Sequence, residues 1–294
     1  MKKSLLIINA DDFGLSPGVN EGIEQAHRRG AVTSASLMVN VPAFAGAIDI
    51  LRRNPALSVG IHLNLSVGPP VAGEPFPAPA REQGEREPER RTGETGWFQR
   101  PFLQLSRLPL DWVEREWRAQ ILRFLAPGLQ PTHLDSHHHV HLHPRLFPIA
   151  LDLCAAFSIP ALRVVPPRCV PWEEMDEALN PAAILSPEGL GETWQMACDR
   201  EGKPGAPRFC RGGVYGFPSA GDNLERRLRA TLQNLGEETA EFFCHPAIPD
   251  SELSRFSRFI EGRWDELTTL LSPETGDLLT RVQLLNYREA LSSL

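Results

Sequence analysis

The sequence predicts an α/β fold, a single (β/α) barrel of about seven strands, closed or slightly irregular, that spans residues 1–294. Three observations support this fold class. Apolar segments of strand length alternate with amphipathic segments of helical length along most of the chain. Polar residues follow the ends of several predicted strands, where α/β sites are built. Finally, a chain of 294 residues with 41% hydrophobic residues can bury a full core.

The first 65 residues follow the order β-α-β-α-β. Ser16 and Pro17 suit the N-cap and the first position of the first helix. The strands are predicted at 3–10, 32–40 and 57–65, and the helices at 18–29 and 44–53. This order requires parallel strands with right-handed crossovers, so functional groups should gather at the carboxyl ends of the strands.

The same alternation resumes at residue 111. Helices are predicted at 111–125, 144–157, 223–235 and 256–271, with a short one at the C-terminus, and strands at 132–136, 161–165, 241–244 and 282–285. The resulting count of seven strands favours a barrel over an open sheet.

Two segments interrupt the pattern. Residues 68–101 are rich in proline, glycine and charge, and they form an inserted loop that is either a surface excursion or a lid. Residues 166–217 are again rich in proline and glycine, and no elements are assigned to this irregular segment. We expect both segments to belong to the one domain.

Composition excludes several functional classes. A net charge of −7 offers no cationic surface for nucleic acid or an anionic membrane. No segment is apolar over the roughly 18 residues that a membrane span requires, and the N-terminal apolar run is too short for a signal peptide. We therefore expect a cytoplasmic protein. The five cysteines are spread apart without a CxxC pair, which argues against a disulfide framework or a thiolate zinc site.

Six of the nine histidines lie in the single stretch THLDSHHHVHLHP, at 132–144. A surface tract without a role is the alternative interpretation. However, Asp135 lies at a predicted strand end within this stretch, where α/β sites are built. The tract therefore favours a metal site.

Further polar residues end other predicted strands. Asp11 and Asp12 end the first strand in NADDFG, where a helix-capping turn is the alternative. His62 lies at the end of the third strand, and His245 in CHPA directly follows the strand predicted at 241–244. Either could be an ordinary core histidine. Taken together, the strand ends at Asp11 and Asp12, at His62 and at the histidine tract fit a catalytic site with two imidazoles, one carboxylate and an open coordination position for water. His245 could then donate a proton.

The motifs NADDFGLSPGVNEGI, VTSASLMVN, GIHLNL, PTHLDSHHHVHLHP, ALRV and CHPA, in this order, resemble the YdjC-like carbohydrate deacetylase family. That family includes chitooligosaccharide deacetylases and deacetylases associated with hopanoid biosynthesis. The resemblance is strong over the first 65 residues and over 131–165. It implies a distorted (β/α) barrel similar to that of polysaccharide deacetylases, which remove N-acetyl groups with a divalent metal.

The resemblance also implies roles for individual residues. Asp12, His62 and His137 would hold the metal, Asp11 would be the general base, His245 the general acid, and Arg163 would orient the base. Candidate substrate-binding residues are Tyr215, Gly216 and His139. The expected activity is hydrolysis of an N-acetyl group on an N-acetylglucosamine-containing carbohydrate or glycolipid, with release of acetate.

Several points stay open. Two imidazoles and a carboxylate suit zinc or cobalt more than magnesium, although the resemblance also allows magnesium. A metal-dependent phosphoesterase is an alternative that would need a second metal. A non-catalytic sugar-binding protein is another, with a structural metal closed by His139 or His141. The sugar, the pathway and the oligomeric state are not determined, and a homodimer is one alternative. Aromatic residues in loops that could contact a sugar or a lipid are Trp97, Phe98, Trp172 and Trp194.

Overall fold

The computed structural model describes residues 3–73, 102–172, 185–218 and 223–294. Its strands are β1 Leu5–Phe13, β2 Ser34–Leu37, β3 Ser58–Leu63, β4 Leu134–Ser136, β5 Gly213–Tyr215, β6 Ala240–Cys244 and β7 Gln283–Leu284. All described strand pairs are parallel, and they form one sheet in the order β4-β3-β2-β1-β6-β5, with β7 beside the start of β1. The parallel arrangement confirms the predicted α/β class.

Helices connect these strands. They are α1 Pro17–Arg28, α2 Phe44–Arg53, α3 Leu110–Leu125, α4 Phe147–Ala156, α5 Pro187–Arg200, α6 Leu224–Asn234, α7 Leu253–Phe256, α8 Glu261–Leu270, α9 Pro273–Leu279 and α10 Tyr287–Ala290. Short 3₁₀ segments lie at Phe102–Arg107, His137–Leu142 and Pro167–Cys169. The Ser16 hydroxyl accepts a hydrogen bond from the Val19 amide at 3.2 Å, which confirms the predicted cap of α1.

Residues 161–162 extend the sheet beyond β4 towards Arg208, and the sheet curls into a distorted, partial barrel. The Leu134 amide donates to the Ala161 carbonyl at 2.9 Å, and the Leu162 amide donates to the Arg208 carbonyl at 2.8 Å. These are isolated bridges, so the predicted strand at 161–165 is wrong. Prolines flank this segment, and proline cannot donate to a sheet ladder. The strand that completes the sheet is β5, within the segment that the sequence left unassigned.

Other boundaries also differ from the prediction. The helix predicted at 256–271 begins only at Glu261, as α8; the short helix α7, which ends at Phe256, and α9 were not predicted. Residues 74–101 of the inserted loop, including Trp97 and Phe98, lie outside the described residues, as do 173–184 of the irregular segment. The five cysteines are free thiols. In the parts of the chain that the structure describes, no helix is both long enough and apolar enough to cross a membrane.

The barrel interior is polar and fully packed. Asn9, Ser36, His133, Arg163 and Glu241 are all inaccessible to solvent. Gly60 on β3 is required by this packing, because a Cβ atom there would lie 2.4 Å from the ring of His133.

Helix α10 closes the end of the barrel at which the strands begin. The Tyr287 amide donates to the Ser34 hydroxyl at 3.0 Å, and its phenol ring stacks on His133 with the ring centroids 3.8 Å apart. The phenol hydroxyl donates to Glu241 Oε2 at 2.7 Å. The opposite end, where the strands finish, is therefore where a substrate can approach.

Candidate active site

Strand β1 ends in a bulge that turns two consecutive carboxylates inward. Ala10 pairs with Ala35 and Phe13 with Leu37, so β1 has one residue more than β2 over this interval. Asp12 adopts a φ of 66°, a conformation that few residues other than glycine take. Consecutive side chains of a regular strand point to opposite faces, whereas a bulge can redirect one of them. The bulge thus explains how Asp11 and Asp12 are both buried in the barrel.

Asp12, His62 and His137 converge at this end of the barrel. His137 Nδ1 lies 2.7 Å from Asp12 Oδ1, and His62 Nε2 lies 3.2 Å from the same oxygen. One nitrogen or oxygen atom from each residue lies within 4.8 Å of the others, a spacing that could hold a metal ion. These are the residues that the sequence predicted as metal ligands, and the structure brings all three together.

His62 is oriented by Asp135, its direct neighbour across the β3–β4 pair. His62 Nδ1 and Asp135 Oδ1 are 2.7 Å apart, and the Ser36 hydroxyl donates to Asp135 Oδ2 at 2.7 Å. With Nδ1 engaged, Nε2 faces Asp12. A carboxylate behind a histidine is the usual arrangement around a metal-binding imidazole. Sequence analysis noted that Asp135 ends a strand but did not assign it this role.

The charges of this cluster strongly shift the pKa values. Burial lowers the pKa of His62, but Asp135 and Asp12 more than compensate and raise it to about 10. Burial raises the pKa of Asp12, but its contacts with His137 and Arg263 outweigh that effect and lower the pKa to well below its ordinary value. The cluster therefore has an ionised carboxylate at its centre.

Asp11 pairs with Arg163 beside this cluster. Arg163 donates from Nη1 to Asp11 Oδ2 and from Nη2 to Asp11 Oδ1, both at 2.7 Å, and Asn9 Nδ2 donates to Oδ1 at 2.8 Å. Arg163 also donates from Nε to Glu241 Oε1 at 3.0 Å. Burial raises the pKa of Asp11, but the effect of the Arg163 guanidinium is larger and opposite, so the pKa lies below its ordinary value. Asp11 is thus an ionised carboxylate held in a fixed orientation.

The histidine tract does not act as one cluster. His138 and His139 both have a φ of 55°, so the backbone is kinked there, and the ring of His137 contacts only that of its neighbour His138 within the tract, among the ring contacts of the described residues. Such conformations carry strain and are common at functional sites. His141 is engaged at both ring nitrogens, by the Ser136 hydroxyl at 2.6 Å and the Arg163 carbonyl at 3.0 Å. It is therefore unavailable as a fourth metal ligand, and that part of the structural-metal alternative is wrong.

His139 lies between two aromatic rings. Its ring centroid is 5.2 Å from that of Phe217 and 5.0 Å from that of Phe243. Nδ1 is buried and has no hydrogen-bond partner among the described residues. The predicted role of His139 in substrate binding stays a prediction.

His245 directly follows β6 on the same side as Asp11, because Cys244 pairs with Ala10. Its amide donates to Glu266 Oε2 at 2.5 Å, which fixes the backbone. Burial lowers the pKa of its imidazole, and Asp12 partly offsets that effect. His245 is thus anchored beside the cluster, as a proton donor would need to be.

The Tyr215 side chain points away from the barrel interior, and its predicted role in substrate binding stays a prediction. Tyr215 pairs with Phe242, whereas Glu241 and Phe243, the flanking residues of β6, contact Arg163 in the interior. Strand alternation therefore places Tyr215 on the outer face of the sheet. Its hydroxyl donates to the Gly212 carbonyl at 3.1 Å. A direct contact of this side chain with a substrate in the barrel is not supported.

Gly216, the other half of the predicted pair, has a φ of 124° and packs on β6. A Cβ atom there would lie 2.2 Å from the Phe243 carbonyl oxygen. The structure therefore explains this glycine by packing, and its role in substrate binding stays a prediction.

Arg263 is a site residue that sequence analysis missed. It lies on α8 and donates from Nη2 to Asp12 Oδ2 at 2.5 Å. No local pattern marks it, because FIEGRWDEL reads as an ordinary helix with charged residues. Only the packing of α8 against the end of β1 reveals the contact.

Comparison with known proteins agrees with this geometry. A family model described as YdjC-like protein matches residues 5–281. The chain belongs to the YdjC-like family. The resemblance inferred from its motifs is thereby confirmed over nearly the whole length.

YdjC-like relatives of this chain include proteins described as deacetylases. A carbohydrate deacetylase from Brevibacillus brevis is 34% identical over 289 residues, covering 97% of this chain and 98% of the relative. A chitooligosaccharide deacetylase from Salmonella paratyphi B is 35% identical over 269 residues, covering 91% of each chain. A crystal structure from Enterococcus faecalis, of a "putative cellobiose-phosphate cleavage protein", is similar with a TM-score of 0.73 and 28% identity, covering 98% of each chain.

Proposed function

We propose that this YdjC-like protein is a metal-dependent carbohydrate N-deacetylase that releases acetate from an N-acetylated sugar. The observation that carries the proposal is the convergence of Asp12, His62 and His137 beside the Asp11–Arg163 pair, in a chain whose relatives include carbohydrate deacetylases. The cluster would hold the metal, and the pair would supply the base.

The residues present fit a divalent cation. The donor set of two imidazoles and one carboxylate is typical of catalytic sites that keep a position open. Around it lie four buried carboxyl groups, two guanidinium groups and His62, whose raised pKa keeps it protonated in the metal-free protein; the carboxyl groups are those of Asp11, Asp12, Asp135 and Glu241, and the guanidinium groups those of Arg163 and Arg263. A bound cation would take the place of the His62 proton. The donor types favour zinc or cobalt, and magnesium stays an alternative.

When bound, such a cation would lower the pKa of a coordinated water to about 7 and stabilise negative charge on a carbonyl oxygen. We assign to Asp11 the removal of a proton from the attacking water. Its Oδ2 accepts a single hydrogen bond among the described residues, from Arg163, so a carboxylate lone pair is free. The Arg163 fork keeps that oxygen in place.

We assign to His245 the second proton transfer. The water oxygen bonds to the acetyl carbon, the carbon–nitrogen bond breaks with its electron pair on nitrogen, and the leaving amine takes a proton from the imidazolium. The products are acetate and a free amino sugar. A burial-lowered pKa makes this imidazolium a stronger acid than an exposed one, which suits protonation of a poor leaving group.

A two-metal phosphoesterase is less compatible with the geometry. A second group of potential ligands does exist, formed by Asp11, His62 and Asp135. However, Arg163 donates to Asp11 and lies 2.9 Å from Asp135, so a guanidinium already occupies the place of a second cation. Phosphoryl transfer by metal pairs requires both ions.

The proposal is tested by measuring acetate released from N-acetylglucosamine, chitooligosaccharides and N-acetylglucosamine-bearing glycolipids, with zinc, cobalt or magnesium added after chelation. Cellobiose phosphate serves as a substrate without an acetamide. We expect metal-dependent acetate release from at least one N-acetylated compound and no phosphate release. Phosphate release without acetate release would instead support the phosphoesterase, and inactivity on every acetamide would refute the proposal.

A further inference from the structure

Arg263 has a buried donor that no described residue satisfies. The residue is 3% exposed. Nη2 donates to Asp12 Oδ2 at 2.5 Å, and Nε donates to the Phe259 carbonyl at 3.0 Å. Nη1 is buried and has no hydrogen-bond partner among the described residues. Leaving a charged donor unpaired in the interior is costly, so such a group calls for a partner beyond the described residues, such as a ligand.

The surroundings of Arg263 place this donor at the candidate active site. The guanidinium is rigid and planar, so Nη1 stays next to Nη2 and hence next to the Asp12 carboxylate. The guanidinium carbon lies 5.9 Å from the ring centroid of Phe259, and that ring lies 6.3 Å from the imidazole of His245. Arg263, Phe259 and His245 therefore form one wall beside the Asp12 cluster.

The chemistry of the missing partner follows from the charges. A guanidinium has no acceptor, so the partner must offer an oxygen lone pair. Asp12 would be shared between a bound cation and Arg263, which leaves positive charge on this wall uncompensated. An anionic oxygen satisfies both conditions, and guanidinium groups match carboxylates well.

Building on the deacetylase function proposed above, we propose that Arg263 Nη1 binds the acetyl-derived oxygen, first as it gains negative charge during amide hydrolysis and then as a carboxylate oxygen of the released acetate. Arg263 would then be a catalytic residue, because it touches the reacting group. Its contact with Asp12 would be a separate, positioning role. The two roles can be tested apart, because lysine preserves a charge near Asp12 but not a planar fork.

The test compares wild-type protein with Arg263→Lys and Arg263→Gln, with Arg53→Lys as a matched control. Arg53 also donates to a carboxylate, that of Glu24, but on the surface between α1 and α2. Inhibition of turnover by acetate and by inorganic phosphate is measured for each protein. Metal content and acetate binding by calorimetry are measured without substrate.

We expect both Arg263 variants to weaken acetate binding and to lower kcat by roughly 10- to 100-fold, with KM for the sugar nearly unchanged. Arg263→Lys should retain its metal, and Arg53→Lys should match the wild type. Unchanged acetate binding in a folded, metal-loaded Arg263→Lys or Arg263→Gln variant would mean that Nη1 meets water, and would overturn the inference. Weaker inhibition by phosphate alone would also overturn it, since the partner would then be an anionic group on the substrate.

The inference and the proposed function can fail separately. Acetate binding that depends on Arg263, in a protein that hydrolyses no acetamide, would remove the deacetylase function but retain the carboxylate site. Acetate release combined with no effect of the Arg263 substitutions on acetate binding would retain the deacetylase function but remove the carboxylate site.

Discussion

Arg163 meets Asp11 through two parallel hydrogen bonds, each 2.7 Å long, so that both oxygens of the carboxylate are held by one planar guanidinium. The same guanidinium also contacts Asp135 and Glu241. All four side chains are buried, which removes the competition of water. Asp11 therefore cannot rotate freely, and its position relative to the Asp12 cluster is set by the barrel itself.

Replacing Asp11 with asparagine tests the division of labour between the two adjacent aspartates. We expect Asp11→Asn to retain its metal but to lose about 10²- to 10⁴-fold in kcat, the range typical of general base catalysis. Asp12→Asn, the matched variant one residue away, should lose metal. Metal content by elemental analysis and turnover are measured on the same samples. Equal metal loss in both variants would overturn the assignment of Asp11 as the base.

Two substitutions test how the metal would be held. His137→Ala removes a direct ligand and should lower metal affinity severely. Asp135→Asn leaves the ligands in place but weakens the orientation of His62, so we expect a loss of roughly 10- to 100-fold in affinity. Competition with a chromogenic chelator gives the affinities. If His137→Ala bound metal as tightly as wild type, another histidine of the tract would have to be the ligand.

The two tyrosines of the chain provide a matched test of the network that closes the barrel. Tyr287→Phe removes the donor to buried Glu241 and should lower the free energy of unfolding by about 1–3 kcal/mol. Tyr215→Phe removes a partly buried hydroxyl bonded to a backbone carbonyl, and we expect a loss of at most about 1 kcal/mol. Urea denaturation measures both. Equal effects would argue against a special role for the Tyr287–Glu241 contact.

His141 predicts a pH dependence of stability. Burial lowers its pKa to about 4, whereas an unfolded histidine has a pKa of about 6.5. Between these values His141 is protonated in the unfolded chain but neutral in the folded protein, so the free energy of unfolding falls as the pH is lowered. The stabilisation is complete above pH 6.5 and lost below pH 4, with an upper limit of roughly 3 kcal/mol.

Urea denaturation of metal-free protein between pH 7 and 4.5 measures this effect. The reference is His141→Gln, which removes this titration and leaves His133 in place. We expect the wild-type curve to fall more steeply than that of the variant over this interval. Parallel curves would show that His141 does not contribute.

The sequence alone determined the fold class and the candidate metal ligands. Periodicity and strand-end polarity are local signals, so the order of elements and the helix at 44–53 could be predicted from neighbouring residues. The choice of Asp12, His62 and His137 among the strand-end residues came from the resemblance of the motifs to a family. The motifs also identified the family. Boundaries failed where local signals conflict, as at 161–165, where flanking prolines limit an apolar segment to isolated bridges.

The tertiary structure decided how those residues are used. The bulge that turns both Asp11 and Asp12 inward depends on the register between β1 and β2, which no local pattern encodes. Arg263 reaches Asp12 from 251 residues away in the chain, and Tyr287 reaches Glu241 from another helix. Charged and polar side chains of this kind look like solvated surface residues in the sequence. Only packing removes them from water, and once buried each of them needs a hydrogen-bonding or charged partner.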